Sequence, residues 1–290
     1  MSAARPTVGD TARFSNGGGE LGALVRDFAW ERTELGPIAA WPQSLQTATG
    51  LLLRARLPMV LLWGEQGVMI YNDAYAVFAG GRHPDLLGSR VREGWAEVAD
   101  FNDHVMKVGL AGGTLNFEDQ ELTLHRNGRP EQVWMNLEYS PVPDETGAPA
   151  GVLAIVVETT ARVRSERARR ETQALANDVL EGMGEGFVLL DAEFRVLAIN
   201  AEGLRMEGRR REDVVGRSHW QAWPGSEHNA LGALYRQAMA ERRPARIEMP
   251  YLLPVGRWLW TEVRAEPSGQ GLAIFYRDIT ERRAIEERQR

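Results

Sequence analysis

The chain has 290 residues, of which 43% are hydrophobic and 26% charged, and its net charge is −6 at pH 7. This composition is typical of a globular protein of about two domains, and the negative balance argues against nucleic acid as a partner. The absence of cysteine excludes disulfides, thiolate metal sites and cofactors held through sulfur. No apolar run approaches the ~20 residues that span a bilayer, and the N-terminus lacks the apolar core of a signal peptide. We therefore expect a cytoplasmic protein that does not engage a membrane.

The first part of the chain is predicted to precede the first domain. Residues 1–15 are expected to be a disordered N-terminus, and residues 16–56 a helical cap. Within the cap, Leu21 and Val25 fall on one stripe of an amphipathic helix. A second helix is expected after Trp41-Pro42, because proline is favoured in the first turn of a helix.

Residues 57–160 are predicted to form the first domain, which begins with a strand at 58–63 and a second at 68–71. Asn72 follows the second strand and is expected to cap a helix with its side chain. Short helices are predicted from there to Leu110. The domain therefore opens with a hairpin followed by helices.

Three further strands complete the first domain. They are predicted at 115–124, at 129–141 and at 151–157. The second of these alternates between apolar and polar side chains, which is the period of a half-buried strand. The third is a continuous apolar run, typical of a strand covered on both faces. Asn127-Gly128 is a strong hairpin signal between the first two.

Residues 183–280 repeat the same order of elements. Asn200 follows a hairpin as Asn72 does, and helices again precede three strands. A repeat of about 120 residues indicates domain duplication rather than a solenoid. The predicted fold class is α+β, with two domains that each contain a five-stranded antiparallel sheet and short helices on one face. The predicted strands of the second domain are 188–190, 196–199, 245–252, 256–266 and 271–278.

A helix is predicted between the domains, at residues 161–182, and another begins at 281–290. In the first, Ala161, Ala168, Leu175 and Val179 recur at the spacing of a coiled coil, although polar residues interrupt the seam. Two interpretations remain open: a surface linker helix, or a parallel two-helix spacer in a homodimer.

These features resemble tandem PAS domains, the sensory modules of bacterial two-component proteins. The resemblance rests on two helix starts, two strands and two strand-to-helix passages. The residues that carry it are Asn72 and Asn200, Trp134 to Pro141 and Trp260 to Pro267, and Glu158-Thr159-Thr160 and Asp278-Ile279-Thr280-Glu281-Arg282-Arg283. It implies a PAS domain at 57–160 and another at 183–280.

Segments at residues 19–26, 35–37, 41–45, 71–75 and 139–142 resemble a PAS type found at the front of soluble sensor histidine kinases. The tail from Ala284 resembles the helix that enters the phosphoacceptor domain of the HWE-type kinases. No phosphoacceptor histidine or ATP-lid glycine motif is present, so the chain itself is predicted to contain no kinase domain and no catalytic residues. The resemblance implies the sensory part of a histidine kinase, or a partner of one, with a response regulator downstream.

The passages from sheet to helix are predicted to transmit the signal. Thr160 and Thr280 are expected to cap the outgoing helices through their hydroxyls. By resemblance, Glu158 and Asp278 would anchor the end of the sheet to the helix, through Arg162 and Arg282 respectively. The simpler alternative is that each passage is only a helix cap.

In PAS folds a ligand generally lies between the helices and the inner face of the sheet. Haem would need an axial histidine there, for which His104, His219 and His228 are the candidates, although each is also compatible with a purely structural role. A noncovalent flavin could stack on Trp95 or Trp220, or on Trp223, although tryptophans are commonly core residues. A cysteinyl flavin adduct is excluded because the chain has no cysteine, and the cofactor remains unknown.

A small metabolite, or a dry core without ligand, is the third possibility. The candidate pocket residues are Met59, Leu61, Tyr71, Val105, Leu137 and Ile155 in the first domain and Leu189, Ile199, Leu234 and Phe275 in the second. The sequence thus predicts a dimeric tandem sensory module that regulates a histidine kinase. The alternatives are a dimerisation scaffold with empty pockets and a flavin or haem sensor.

Overall fold

The computed structural model of the chain describes residues 12–253 and 256–289. They form two compact units, the first ending at Arg167 and the second beginning at Ala168. Most of the segment predicted to be disordered lies outside the described residues, but Arg13–Ser15 forms a 3-10 helix. The Arg54 guanidinium donates a hydrogen bond of 2.9 Å to the carbonyl of Phe14, which ties this segment to the cap.

The N-terminal cap consists of α1 (Gly19–Asp27) and α2 (Gln43–Arg54). Each helix buries one apolar stripe, including Leu21 and Val25 in α1 and Leu45 and Leu52 in α2. This is the amphipathic pattern that the sequence predicts. Short 3-10 helices connect them at Trp30–Arg32 and Ile38–Ala40.

The first sheet has five strands, all paired antiparallel in the spatial order β2-β1-β5-β4-β3. This agrees with the predicted α+β class. Strand β5, which leads out of the domain, lies between β1 and β4 and is therefore the central strand of the sheet. The strands are β1 (Met59–Trp63), β2 (Val68–Tyr71), β3 (Leu115–Leu124), β4 (Glu131–Pro143) and β5 (Pro149–Glu158).

The helices of this unit are α3 (Asp73–Ala79), α4 (Val91–Gly94) and α5 (Ala99–Leu110), with 3-10 helices at Gly80–Arg82 and Ala96–Val98. Helix α5 packs against β5. The contact is close because a Cβ at Gly109 would lie 2.3 Å from Val152 Cγ2. The face of the sheet that carries Val152 is therefore the inner face.

The prediction that β5 is covered on both faces was wrong. Val152 and Val156 are buried, whereas Ile155 is half-buried and Val157 is 37% exposed. The strand therefore alternates, as an antiparallel strand with one solvated face does. At the β1 end of the sheet the outer face is covered, and Trp63 and Leu45 of α2 line a common depression there.

The second unit repeats this architecture in the order β7-β6-β10-β9-β8. It begins within α6 (Thr160–Gly182) and ends with α10 (Thr280–Arg288). The remaining elements are β6 (Gly186–Leu190), β7 (Val196–Ile199), α7 (Ala201–Glu207), α8 (His219–Ala222), α9 (Ala230–Glu241), β8 (Ala245–Leu252), β9 (Trp258–Ser268) and β10 (Gly271–Asp278), with 3-10 helices at Arg211–Asp213 and Ser226–His228.

Candidate functional site

In each unit, one buried asparagine fastens an incoming helix to the sheet. The Asn200 side-chain oxygen accepts hydrogen bonds of 2.9 Å from the amides of Phe187 and Gly203. Its side-chain nitrogen donates to the carbonyls of Leu180 and Glu185, also at 2.9 Å. Asn200 thereby joins the end of α6, the start of β6 and the first turn of α7.

Asn72 has the equivalent position in the first unit. Its oxygen accepts from the amides of Met59 and Tyr75, and its nitrogen donates to the carbonyls of Leu52 and Leu57. The predicted cap at Asn72 is confirmed, and Asn200, predicted only to stand at a helix start, caps its helix in the same way. The helix that each one fastens is α2 in the first unit and α6 in the second.

Each unit ends in a junction where the last strand passes into a helix. In the first, the backbone amide of Trp134 donates to the Thr160 hydroxyl at 3.0 Å, and the amide of Thr159 donates to the Trp134 carbonyl at 2.7 Å. In the second, the amide of Trp260 donates to the Thr280 hydroxyl at 2.9 Å, and the amide of Ile279 donates to the Trp260 carbonyl at 2.8 Å. The two junctions share one hydrogen-bond pattern.

The threonines therefore do not cap the helices in the predicted way. Each hydroxyl accepts from a strand amide instead of a helix amide, so it joins the helix to the sheet. In the second junction the helix amide is held by Asp278, whose carboxylate accepts from the Thr280 amide at 2.8 Å and from its hydroxyl at 2.5 Å. The capping role lies with the aspartate.

The arginines of the junctions also have other partners than the sequence predicts. Arg162 pairs with Asp119 on β3, and Glu158 pairs with Arg126 at 2.6 Å. In the second unit, Arg282 lies 2.6 Å from Glu248 on β8. These arginines thus tie each helix to the edge strand of its sheet.

The Glu248 carboxylate is the centre of the second junction. Arg282 and Arg283 of α10 both donate to it, at 2.6 and 3.0 Å. These hydrogen bonds lower the pKa of Glu248 to about 2, and the bond from Arg282 contributes most. In the first junction, the hydrogen bond from Arg162 similarly lowers the pKa of Asp119. Both carboxylates are therefore ionised at neutral pH, as the ion pairs require.

Arginines also cover the junction tryptophans. The guanidinium of Arg283 lies 4.0 Å from the ring of Trp260, and that of Arg167 lies 4.7 Å from the ring of Trp134. Such cation–π contacts add to the attachment of each helix. They also explain why Trp134 is buried although it lies on the outer face of its strand.

The second unit contains a cavity of about 340 Å³ between its sheet and its helices. Thr261 and Tyr276 line it from the inner face of the sheet, and Glu207, His219 and Tyr235 line it from the helices. Burial lowers the pKa of His219 to about 3 and raises that of Glu207. His219 is therefore a neutral imidazole, stacked on Trp223 with the ring centroids 4.5 Å apart.

The tyrosine, histidine and tryptophan polar groups near Tyr71 and Trp95 in the first unit are paired with one another. The Tyr71 hydroxyl lies 3.0 Å from His83 Nδ1, and the Trp95 indole donates to the Tyr75 hydroxyl at 3.0 Å. Trp95 has the Arg82 guanidinium 4.7 Å from its ring. The indole N–H of Trp95 therefore already has a hydrogen-bond partner, and its ring is already in contact with a guanidinium.

Strand register decides where the predicted pocket residues lie. Tyr71 and Leu137 share the inner face with Val152 and Val156, and Ile199 pairs with Val188 at the cavity of the second unit. Five others lie on the opposite, outer faces, because side chains on a strand alternate. These are Met59, Leu61, Ile155, Leu189 and Phe275.

The remaining predicted residues are distributed differently again. His104 and His228 are exposed, while Val105 is buried. Trp220 packs in an aromatic cluster with Phe194 and His219. Of the predicted histidines and tryptophans, His219 and Trp223 line the cavity. The sequence interpretation missed Glu207, Tyr235, Thr261 and Tyr276, although strict alternation along β10 would have selected Tyr276 instead of Phe275.

The fold and its junctions define a class of protein: a duplicated α+β domain, each copy of which passes from its sheet directly into a helix. The PAS fold family model matches residues 56–164 and 180–284, so the chain belongs to the PAS fold family. PAS domains are signal-sensing modules, and this chain contains two. No curated protein matches it. In the described part of the chain, no helix combines the length and apolar character needed to cross a bilayer.

Several solved structures, two of them of PAS domains, are similar to parts of the chain. The PAS domain of BvgS from Bordetella pertussis is 22% identical, with a TM-score of 0.32, over 42% of this chain and 93% of that one. A PAS domain from Colwellia psychrerythraea is 16% identical, with a TM-score of 0.34, over 38% and 98%. The photoactive yellow protein domain of the sensor histidine kinase Ppr from Rhodospirillum centenum is 18% identical, with a TM-score of 0.33, over 35% and 91%.

Proposed function

We propose that this chain is the sensory module of a histidine kinase, acting as a homodimer and controlling phosphoryl transfer to a response regulator through its sheet-to-helix junctions. The observation that carries the proposal is the shared pattern at Trp134 and Trp260. The backbone amide of each tryptophan donates to the hydroxyl of a helix threonine. Its carbonyl accepts from the amide of the residue that precedes that threonine. A duplicated attachment of this kind suits the transfer of a conformational change from sheet to helix.

The second junction adjoins the cavity along two strands. Thr261 lines the cavity, is paired in register with Asp278, and follows Trp260 directly. Tyr276 lines it two residues before Asp278 on β10. Thr261 and Tyr276 are therefore only one or two strand residues away from Trp260 and Asp278, which hold α10. A displacement of either lining side chain can reach the junction over that short distance.

Helix α6 has the attachments of both an output and an input helix. Thr160 begins it at the first junction, and near its end the Leu180 carbonyl accepts a hydrogen bond from the Asn200 side-chain nitrogen. Leu175 and Val179, on the predicted seam, are 65% and 59% exposed. These exposed apolar side chains support pairing of α6 with the same helix of a second copy.

An insertion series tests the proposed output. The chain is fused to a histidine kinase catalytic region, with one to seven alanines inserted between Arg288 and the kinase. An α-helix turns about 100° per residue, so autophosphorylation should rise and fall with a period of about 3.6 residues and return near its starting value after seven.

Amide hydrogen exchange of the segment after Arg288 shows whether each insertion is helical. A rate that is independent of insertion length, with the helix intact, would refute control through the helix. It would support the alternative of a dimerisation scaffold.

A further inference from the structure

The cavity of the second unit is surrounded by buried polar atoms without protein partners. Across residues 12–253 and 256–289, these include both ring nitrogens of His219, the Thr261 hydroxyl and the Tyr276 hydroxyl. His219 and Thr261 are each 5% exposed. Leaving such a group unpaired costs roughly 1–3 kcal/mol, so this cavity is built to receive hydrogen bonds from something else.

The unpaired groups define what a ligand must offer. A neutral imidazole has one N–H donor and one bare acceptor nitrogen, and His219 uses neither. The hydroxyls of Thr261 and Tyr276 can each donate or accept. A ligand that satisfies His219 therefore needs at least one acceptor and one donor, which is what a carboxamide supplies.

The charges around the cavity favour an uncharged ligand. Glu207 is 4% exposed and accepts a hydrogen bond of 3.2 Å from the Tyr251 hydroxyl. Arg209 lines the same cavity, donates to the Ala222 carbonyl and lies 5.5 Å from the Trp223 ring. With one acid and one base at the wall, neither sign of ligand charge is preferred, and an uncharged ligand avoids the cost of burying a charge.

The shape and lining favour a flat ring. The side chains of Trp223, Tyr235, Tyr251 and Tyr276 contribute aromatic surface, on which ring systems pack face to face or edge to face. A volume of about 340 Å³ lies at the small end of the roughly 300–1,000 Å³ range of ligand sites. A two-ring compound with one polar group is of suitable size.

We propose that this cavity binds an uncharged, flat aromatic molecule bearing an amide-like group, whose donor and acceptor pair with His219, Thr261 and Tyr276. This proposal rests on the proposed sensory function, in which the ligand is the signal that the module detects. The binding itself is measured on the chain alone, without a kinase, so its failure is separate from a failure of the proposed output.

Four probes with the same rings test the ligand class by calorimetry on the full chain. They are 2-naphthamide, methyl 2-naphthyl ketone, 2-naphthoate and 2-naphthylmethylamine. The amide should bind about tenfold or more tightly than each of the others, because the ketone lacks the donor and the other two are charged. Affinity for the amide should fall about tenfold in His219→Phe and in Thr261→Val.

His83→Phe is the matched control, because His83 is paired with Tyr71 in the first unit; it should leave amide binding unchanged. Thr261→Val retains the strand and serves if His219→Phe does not fold. Tighter binding of the amine or the carboxylate would overturn the proposal in favour of a site at Glu207 or Arg209. Equal affinities would show apolar packing only, and no binding would show that water fills the cavity; either result also overturns it.

Discussion

Replacing Asn200 with alanine should destabilise the second unit by roughly 3–5 kcal/mol. The side chain is 2% exposed and makes four hydrogen bonds, to Leu180, Glu185, Phe187 and Gly203. Alanine would leave two backbone amides and two carbonyls without this partner, each at a cost of about 1–3 kcal/mol where water cannot replace it. The end of α6 would also lose its attachment.

Amide hydrogen exchange resolves this effect unit by unit. In Asn200→Ala, protection should fall across β6 and α7, while β1 and α3 of the first unit keep theirs. Asn72→Ala is the matched variant and should reverse the pattern, since Asn72 has the same role in the first unit. Unchanged protection of the second unit in Asn200→Ala would show that these bonds do not hold it together.

Reversing the charge of Glu248 should release the start of α10 from the sheet. Arg282 and Arg283 lie 2.6 and 3.0 Å from its carboxylate, and Arg246 lies 3.0 Å away. In Glu248→Arg, four guanidinium groups would converge where three now surround one carboxylate. Amides of α10 should exchange at least tenfold faster, while those of β9 and β10 change little.

Glu193→Arg makes the same change of charge at an exposed turn and should leave α10 unaffected. Equal exchange of α10 in both variants would show that the ion pairs of Glu248 do not attach the helix. Exchange of the whole unit at the faster rate would indicate unfolding instead of local release.

Local patterns in the sequence predict the fold well. Residues 196–199, 245–252 and 271–278 are strands with the predicted bounds, because alternation and turn residues act over a few positions. Asn72 is a cap and Asn200 stands at a helix start, both as predicted, because a cap binds an amide only three residues away. The five-stranded repeat follows from these elements and their order.

The sites depend on contacts that no local pattern shows. Asp119 and Glu248 are many residues from the arginines they bind, so the sequence suggests the nearer Glu158 and Asp278 instead. Ile155 lies in an apolar run whose two faces look alike until register assigns them. The cavity likewise depends on the burial of Glu207. A glutamate that lies close to several arginines in the sequence gives no sign of being buried.

The most direct test of the signalling junction is Asp278→Ala in the kinase fusion. The substitution removes the acceptor for the Thr280 amide and hydroxyl, a cap worth about 1 kcal/mol, which is about 4–8 °C in the melting temperature of a small domain. Autophosphorylation should change at least fivefold while the second unit stays folded at the assay temperature. A rate equal to that of the unmodified fusion, with only the melting temperature lowered, would contradict the account and leave the junction a simple helix cap.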